Sequence, residues 1–160
     1  MFIKRNGDKF ILLVSYVDDC FGVTNDSPLI DWFNSEMKRM FDYKDLCPIN
    51  TLLGTWVDYL DNGDIRVSSP LGIEKLLDRM GMKDSTPVAT PLEPGAKLKP
   101  AIPGEEILDP AQHTEYQALI GSLLFLAISC RPDIAHAVHE LGRFVATPTQ
   151  LHWNAARRVL

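Results

Sequence analysis

Cysteine is scarce in this chain: Cys20, Cys47 and Cys130 are three in number, odd and far apart. That excludes a disulfide framework and a CxxC zinc site, and it makes a reducing, intracellular, cytoplasmic setting the expectation. Long apolar runs are also missing. The longest, Ala118 to Ile128, is interrupted by Gly121 and Ser122 and falls short of the ~20 residues a bilayer span requires. Phe2-Ile3-Lys4-Arg5-Asn6-Gly7-Asp8 turns polar too early for a signal peptide, so no membrane partner is expected. Basic charge is in deficit. Sixteen Lys and Arg face 21 Asp and Glu, a net charge of −5, which argues against a freestanding nucleic-acid binder with a basic face. There is no P-loop, no GxGxxG, no Ser-His-Asp set and no internal repeat.

What is present is an ordinary globular mixture, 46% hydrophobic and 23% charged, in 160 residues, enough for one domain or two small ones. The acidic excess lies in the N-terminal part. Residues 1–69 hold 7 basic and 11 acidic side chains, against 4 and 3 in residues 111–160.

The N-terminal part reads as β. Phe2-Ile3-Lys4 and Lys9 to Val14 flank Asn6-Gly7, a two-residue hairpin signal. Phe10 to Val14 is apolar without alternation, which predicts a strand covered on both faces. A second short strand follows at Cys20-Phe21-Gly22-Val23-Thr24, with Cys20 read as a small core residue. Ser27-Pro28 supplies an N-cap and first position for a helix carrying Leu29, Ile30, Phe33, Met37, Met40 and Phe41 at helical spacing. Strand signals return over Leu52 to Tyr59 and Asp64 to Val67, joined through Asn62-Gly63. Ser69-Pro70 caps a short helix ending near Gly81.

Six of the 11 prolines fall in residues 84–110, which read as an extended connector. Helices are predicted over about 113–128, 132–145 and 148–160, the last with Thr147 and Gln150 at capping-box spacing. The chain stops at Val159-Leu160 inside a helical pattern without a stop signal, which reads as a truncation. The expected organisation is thus residues 1–69, 70–83, 84–110 and 111–160, in an α+β fold: an antiparallel sheet region with helices, then a mainly helical half.

The sharpest chemical feature is Tyr16-Val17-Asp18-Asp19, set between two apolar strands. Adjacent carboxylates repel and are costly to desolvate, and a divalent cation removes that penalty. Mg²⁺ in particular favours one or two carboxylates together with substrate phosphates. Asp is also simply a good turn residue. His136 and His139 lie three apart on a predicted helix, but no third ligand accompanies them, and zinc needs three or four.

Tyr16-Val17-Asp18-Asp19 resembles the YxDD box of reverse transcriptases, and the residues downstream narrow the resemblance to the copia-type retrotransposon enzymes. Lys44-Asp45-Leu46 with Leu52-Leu53-Gly54 is similar to their KDLG…FLG stretch. Glu74 to Met82 resembles their "lLxrfgM" helix, and Thr90-Pro91-Leu92 their TPM/TPL segment. Tyr116 to Leu126 resembles YRSLVGSLLYL. Arg131-Pro132-Asp133-Ile134-Ala135 with Leu141-Gly142-Arg143-Phe144 resembles RPDIA…LSRF, and His152-Trp153 with Ala155 to Leu160 resembles HWxAAKRVL. The matches keep the family's order over essentially the whole chain.

The resemblance implies a part of an RNA-directed DNA polymerase, from the YVDD box of the palm through the thumb and connection of a polyprotein. In such an enzyme, aspartates hold two Mg²⁺ ions, with Mn²⁺ as a substitute, for attack of a primer hydroxyl on a nucleotide α-phosphate. It implies Asp18 and Asp19 as the catalytic metal ligands. Tyr16 and Val17 would line the primer and nucleotide site, and Leu53, Gly54, Thr55 and Trp56 would form a hairpin that grips the primer end. The last four also fit ordinary strand packing, and Lys44 fits a solvated charge better than a pyrophosphate contact. The implied partners are RNA/DNA template-primer, a deoxynucleotide, the upstream palm and fingers, and a downstream ribonuclease H segment, within a virus-like particle. Self-association of the lone chain is a further expectation.

The pattern also departs from the family. The upstream catalytic Asp segment has no counterpart here, Cys47 stands where Gly is usual, Thr55-Trp56 replaces Ile-Glu, and Ser69-Pro70-Leu71-Gly72 replaces SQxxY. These departures imply inactivity of the chain alone, and they leave open the alternative of a domesticated, non-catalytic interaction fragment.

Overall fold

A computed structural model describes residues 1–46 and 48–160; the Gly-to-Cys departure at Cys47 lies outside the described residues. The fold is α+β, with two separate three-stranded antiparallel sheets and five α-helices among the described residues. The chain forms two compact units, Met1–Pro48 and Ile49–Leu160.

In the first unit the sheet order is β1 (Phe2–Asn6), β2 (Lys9–Tyr16), β3 (Asp19–Thr24), followed by α1 (Ser27–Met40). Asn6 pairs with Lys9, so the turn residues are Gly7-Asp8 rather than Asn6-Gly7. Gly7 at φ 62 supplies the left-handed conformation that a tight turn needs. Asn25 ties this turn down: its amide donates to the Asp8 carbonyl at 2.8 Å and its oxygen accepts from the Phe10 amide at 2.9 Å. The helix cap falls one residue earlier than expected, at Asp26, which also pairs with Lys9 at 2.7 Å.

The expectation that Phe10 to Val14 is covered on both faces is not met. Ile11 is buried, Leu12 and Leu13 are half-buried, and Val14 is exposed. The cause lies in α1, which packs on β2 and β3 yet buries none of its own residues fully. Its stripe reaches partial burial at Leu29, Phe33 and Met37, while Ile30, Met40 and Phe41 are exposed. Lys4 sits 3.3 Å from the Trp32 ring centroid, a cation–π contact joining β1 to α1.

The second unit opens with β4 (Thr51–Leu52), β5 (Thr55–Tyr59) and β6 (Ile65–Ser68). The predicted continuous strand from Leu52 to Tyr59 is broken by a two-residue turn at Leu53-Gly54. Beyond β5, the Leu60 amide donates to the Asp64 carbonyl. Asp61-Asn62-Gly63 therefore form a three-residue loop, with Gly63 at φ 88 in the position that favours glycine. Then comes α2 (Pro70–Arg79), with Ser69 at the N-cap position as predicted, although its side chain makes no cap hydrogen bond, and Pro70 in the first turn. It ends in a Schellman motif: Met82 donates to the Leu77 carbonyl at 2.8 Å and Gly81, at φ 63, to Asp78.

No helix or extended ladder forms in residues 84–109; an isolated bridge joins Ile107 to Thr149. The connector is not free of the core, since Leu108 is buried and Leu92 and Leu98 pack against the same cluster. α3 (Pro110–Ser129) starts three residues before the predicted boundary. Asp109 caps it, accepting from the Gln112 amide at 2.9 Å, and Pro110 takes the first position. The predicted 132–145 helix resolves into a 3-10 turn (Pro132–Ile134) and a shorter α4 (Ala135–Gly142). After Gly142 the amides of Phe144 and Val145 bond three residues back, tightening the end. α5 (Gln150–Val159) is capped by Thr149, not Thr147.

The core of this unit is helical. Tyr116, Leu119, Ile120, Leu123 and Leu126 of α3 meet Val138 and Leu141 of α4 and Ala156 and Val159 of α5. The Tyr116 hydroxyl is fully buried and donates to the Leu141 carbonyl at 2.8 Å. Burial pushes its pKa far above the usual tyrosine value.

Candidate active site on the β2–β3 hairpin

Tyr16 pairs with Asp19, leaving Val17-Asp18 as a two-residue hairpin loop. Val17 has φ 55. Glycine, asparagine or aspartate would take that conformation readily; a β-branched residue there carries strain of roughly 1–3 kcal/mol. The carboxylates thus occupy the last loop position and the first strand position at the end of β2–β3. Tyr16, Val17, Asp18 and Asp19 are all exposed, Val17 at 87%. Neither carboxylate makes a side-chain hydrogen bond or ion pair among the described residues. Cys20, expected in the core, is exposed. It pairs with Ser15 one step from the turn, where the sheet has lost its cover.

Asp18 and Asp19 are consecutive at the tip of the hairpin, and their carboxylate oxygens are chemically suited to a hard cation. Among the described residues no three His, Cys, Asp or Glu side chains group as a metal site. The hairpin fits part of a metal centre, not a closed one. His136 and His139 are both exposed, and they too gather no third ligand.

The second predicted cluster also lands on a hairpin tip. Leu53 (φ 48) and Gly54 (φ 85) are the turn between β4 and β5, with both central residues left-handed as a type I′ turn demands. Thr55 is buried and its hydroxyl donates to the Leu52 carbonyl at 2.6 Å, locking the turn. Leu53 and Trp56 are exposed. A Cβ on Gly54 would stand 3.8 Å from Phe125, ordinary contact, so its φ and not crowding explains the glycine. Lys44 is exposed in the segment after α1.

His152 was given no chemistry of its own by sequence reasoning. It is fully buried, stacked on Phe144 with centroids 4.2 Å apart, and its Nδ1 accepts from the Thr149 amide at 3.0 Å. The signal was the Thr149–His152 spacing, three residues across a helix start, with His standing where Glu or Gln is usual.

The family model for reverse transcriptase (RNA-dependent DNA polymerase) matches residues 1–94. The chain belongs to that family, in its copia-type retrotransposon branch. It is 34% identical, over its whole length, to the retrovirus-related Pol polyprotein from transposon TNT 1-94 of Nicotiana tabacum, covering 12% of that relative. It is 33% identical, again over its whole length, to the Pol polyprotein from transposon RE1 of Arabidopsis thaliana, covering 10%. A putative transposon Ty5-1 protein of Saccharomyces cerevisiae is 31% identical and is covered to 51%. The chain thus spans about a tenth of the two Pol polyproteins. No solved structure matches it. Among the described residues no helix is long and apolar enough to cross a membrane.

Proposed function

We propose that Asp18 and Asp19 are the metal-binding carboxylates of an RNA-directed DNA polymerase acting within a longer polyprotein. The observation that carries this reading is the position of the two adjacent carboxylates, exposed and unpartnered at a hairpin tip, in a chain of the reverse-transcriptase family. Bound Mg²⁺ or Mn²⁺ would neutralise phosphate charge during nucleotidyl transfer. Asp18, on the loop, is the main ligand, and Asp19, anchored opposite Tyr16, the supporting one. Tyr16 and Val17 flank the carboxylates and face the nucleic acid and nucleotide. Leu53 and Trp56 offer apolar and aromatic surface to a primer end, held by the turn that Gly54 and Thr55 fix.

The isolated chain is expected to be inactive, because two carboxylates are fewer than two-metal transfer uses. Primer extension with Mg²⁺ or Mn²⁺ checks this: incorporation should match an Asp18→Asn control, and incorporation above that control would refute it. The site assignment is checked separately by paramagnetic broadening with Mn²⁺. Signals from Tyr16 to Cys20 should broaden first, with weak, roughly millimolar affinity for so few protein ligands, and Asp18→Asn/Asp19→Asn should abolish the effect. Broadening centred on His136 and His139, or spread evenly over the acidic surface, would overturn the assignment.

A further inference from the structure

A cleft of about 720 Å³ opens in the second unit between the segment after α2, the 3-10 turn and α5, within the ~300–1,000 Å³ typical of small-molecule sites. Its cations differ in how they are satisfied. Lys83 is paired with Glu74 and Asp78, both at 3.3 Å. Arg131 forks onto Asp133 at 2.7–3.2 Å. Arg157, in contrast, makes no ion pair among the described residues, and its Nε contacts the Met82 sulfur at 3.4 Å. Arg158 donates from Nη2 to the Thr90 hydroxyl at 3.2 Å and lies 3.9 Å from Glu93, while its Nε is buried without a hydrogen-bond partner.

The helix dipole accounts for cations in the last turn of α5, but it does not account for what surrounds them. Ser85, Thr86 and Thr90 add hydroxyls to the same lining, and Val88, Ile134 and Val159 add apolar surface. Arg157, without an anionic partner among the described residues, and Arg158, whose Nη1 lies 3.9 Å from Glu93, stand beside three hydroxyls, of which Thr90 already accepts from Arg158. One carboxylate can fork onto one guanidinium but not serve both guanidiniums together with the hydroxyls. A phosphoryl group has more acceptor oxygens and suits bidentate guanidinium contact.

We propose that this cleft binds the phosphoryl group of a nucleotide-sized ligand, with Arg157 as the main contact and Arg158 as the second. The apolar lining takes the base or an equivalent flat group. The assignment does not rest on Asp18 or Asp19, so the two proposals stand or fall separately.

The test is NMR titration of the full chain with pyrophosphate, adenosine monophosphate, a 5′-phosphorylated oligothymidylate and, as a carboxylate control, citrate. The expected result is localised shifts in residues 82–91 and 154–159 with the phosphorylated probes. Arg157→Gln should weaken binding roughly tenfold or more, the usual weight of a charge-assisted hydrogen bond, and Arg158→Gln should weaken it less. Lys75→Gln, on an exposed face of α2, should leave it unchanged. Competition by the oligonucleotide would identify a strand end as the source, and binding of the mononucleotide without such competition a free nucleotide; both support the proposal. Absence of shifts at millimolar probe, equal loss in Lys75→Gln, or citrate binding as tightly as pyrophosphate would overturn it. A circular-dichroism melt of Arg157→Gln matching the parent chain establishes that lost binding is not lost folding.

Discussion

Leu123→Ala is expected to destabilise the second unit by about 2–5 kcal/mol, the range for a fully buried leucine whose surroundings cannot collapse into the space. Leu123 is 1% exposed and belongs to the cluster joining α3 to α4 and α5. Val14→Ala, at a strand position 38% exposed, should cost under about 0.5 kcal/mol. Urea unfolding of both variants, with hydrogen exchange to assign the loss, checks the pair. Strong exchange protection in residues 1–46 and a large cost at Val14 would show that the sheet is better covered than its exposure indicates.

His152→Ala should cost on the order of 2–4 kcal/mol, combining the lost helix cap with a cavity beside Phe144. The same residue predicts a pH dependence. Burial holds its pKa below the ordinary 6.5, outweighing the upward pull of the Lys99 backbone and the Glu105 charge. Nδ1 accepts the Thr149 amide hydrogen, so protonating it also breaks the cap. The unfolded chain therefore binds the proton more readily than the folded one. The contribution of His152 is complete above about pH 6.5 and declines as pH falls below that value toward the lower folded pKa. Thermal melts between pH 7.5 and 5, on the order of the window this linkage sets, should show the loss. His152→Gln should flatten the slope; an unchanged slope would place the acid sensitivity elsewhere.

The Val17-Asp18 tip is legible in the sequence because turn chemistry is local: two carboxylates between apolar strands mark a turn. Leu53-Gly54 is not: its flanking residues read as one strand from Leu52 to Tyr59, and only the family resemblance implies a hairpin there. Family motifs placed Asp18 and Asp19 within such a turn before any coordinates. Less was legible where the outcome depends on what covers a surface. Phe10 to Val14 carries the pattern of a doubly covered strand, yet coverage comes from other elements, and α1 supplies it on a limited scale. Cys20 failed for the same reason, since a small apolar residue near a sheet end is buried or exposed according to its neighbours. Cap positions slipped by one or two residues at Asp26 and Thr149 because Asp, Ser and Thr compete for one role within a few positions. His152 was missed as a cap because a histidine can serve at the third helical position without matching the usual Glu or Gln.

The left-handed Val17 has a consequence for how binding and folding are connected. Any cation that bridges Asp18 and Asp19 holds closed the turn in which Val17 is strained, and it does not find that arrangement in the unfolded chain. Its binding free energy therefore adds to hairpin stability. Val17→Gly would relieve the strain at φ 55 and widen the range of tip conformations at once, so that a gain in the resting hairpin and a loss in cation affinity would arise from one substitution.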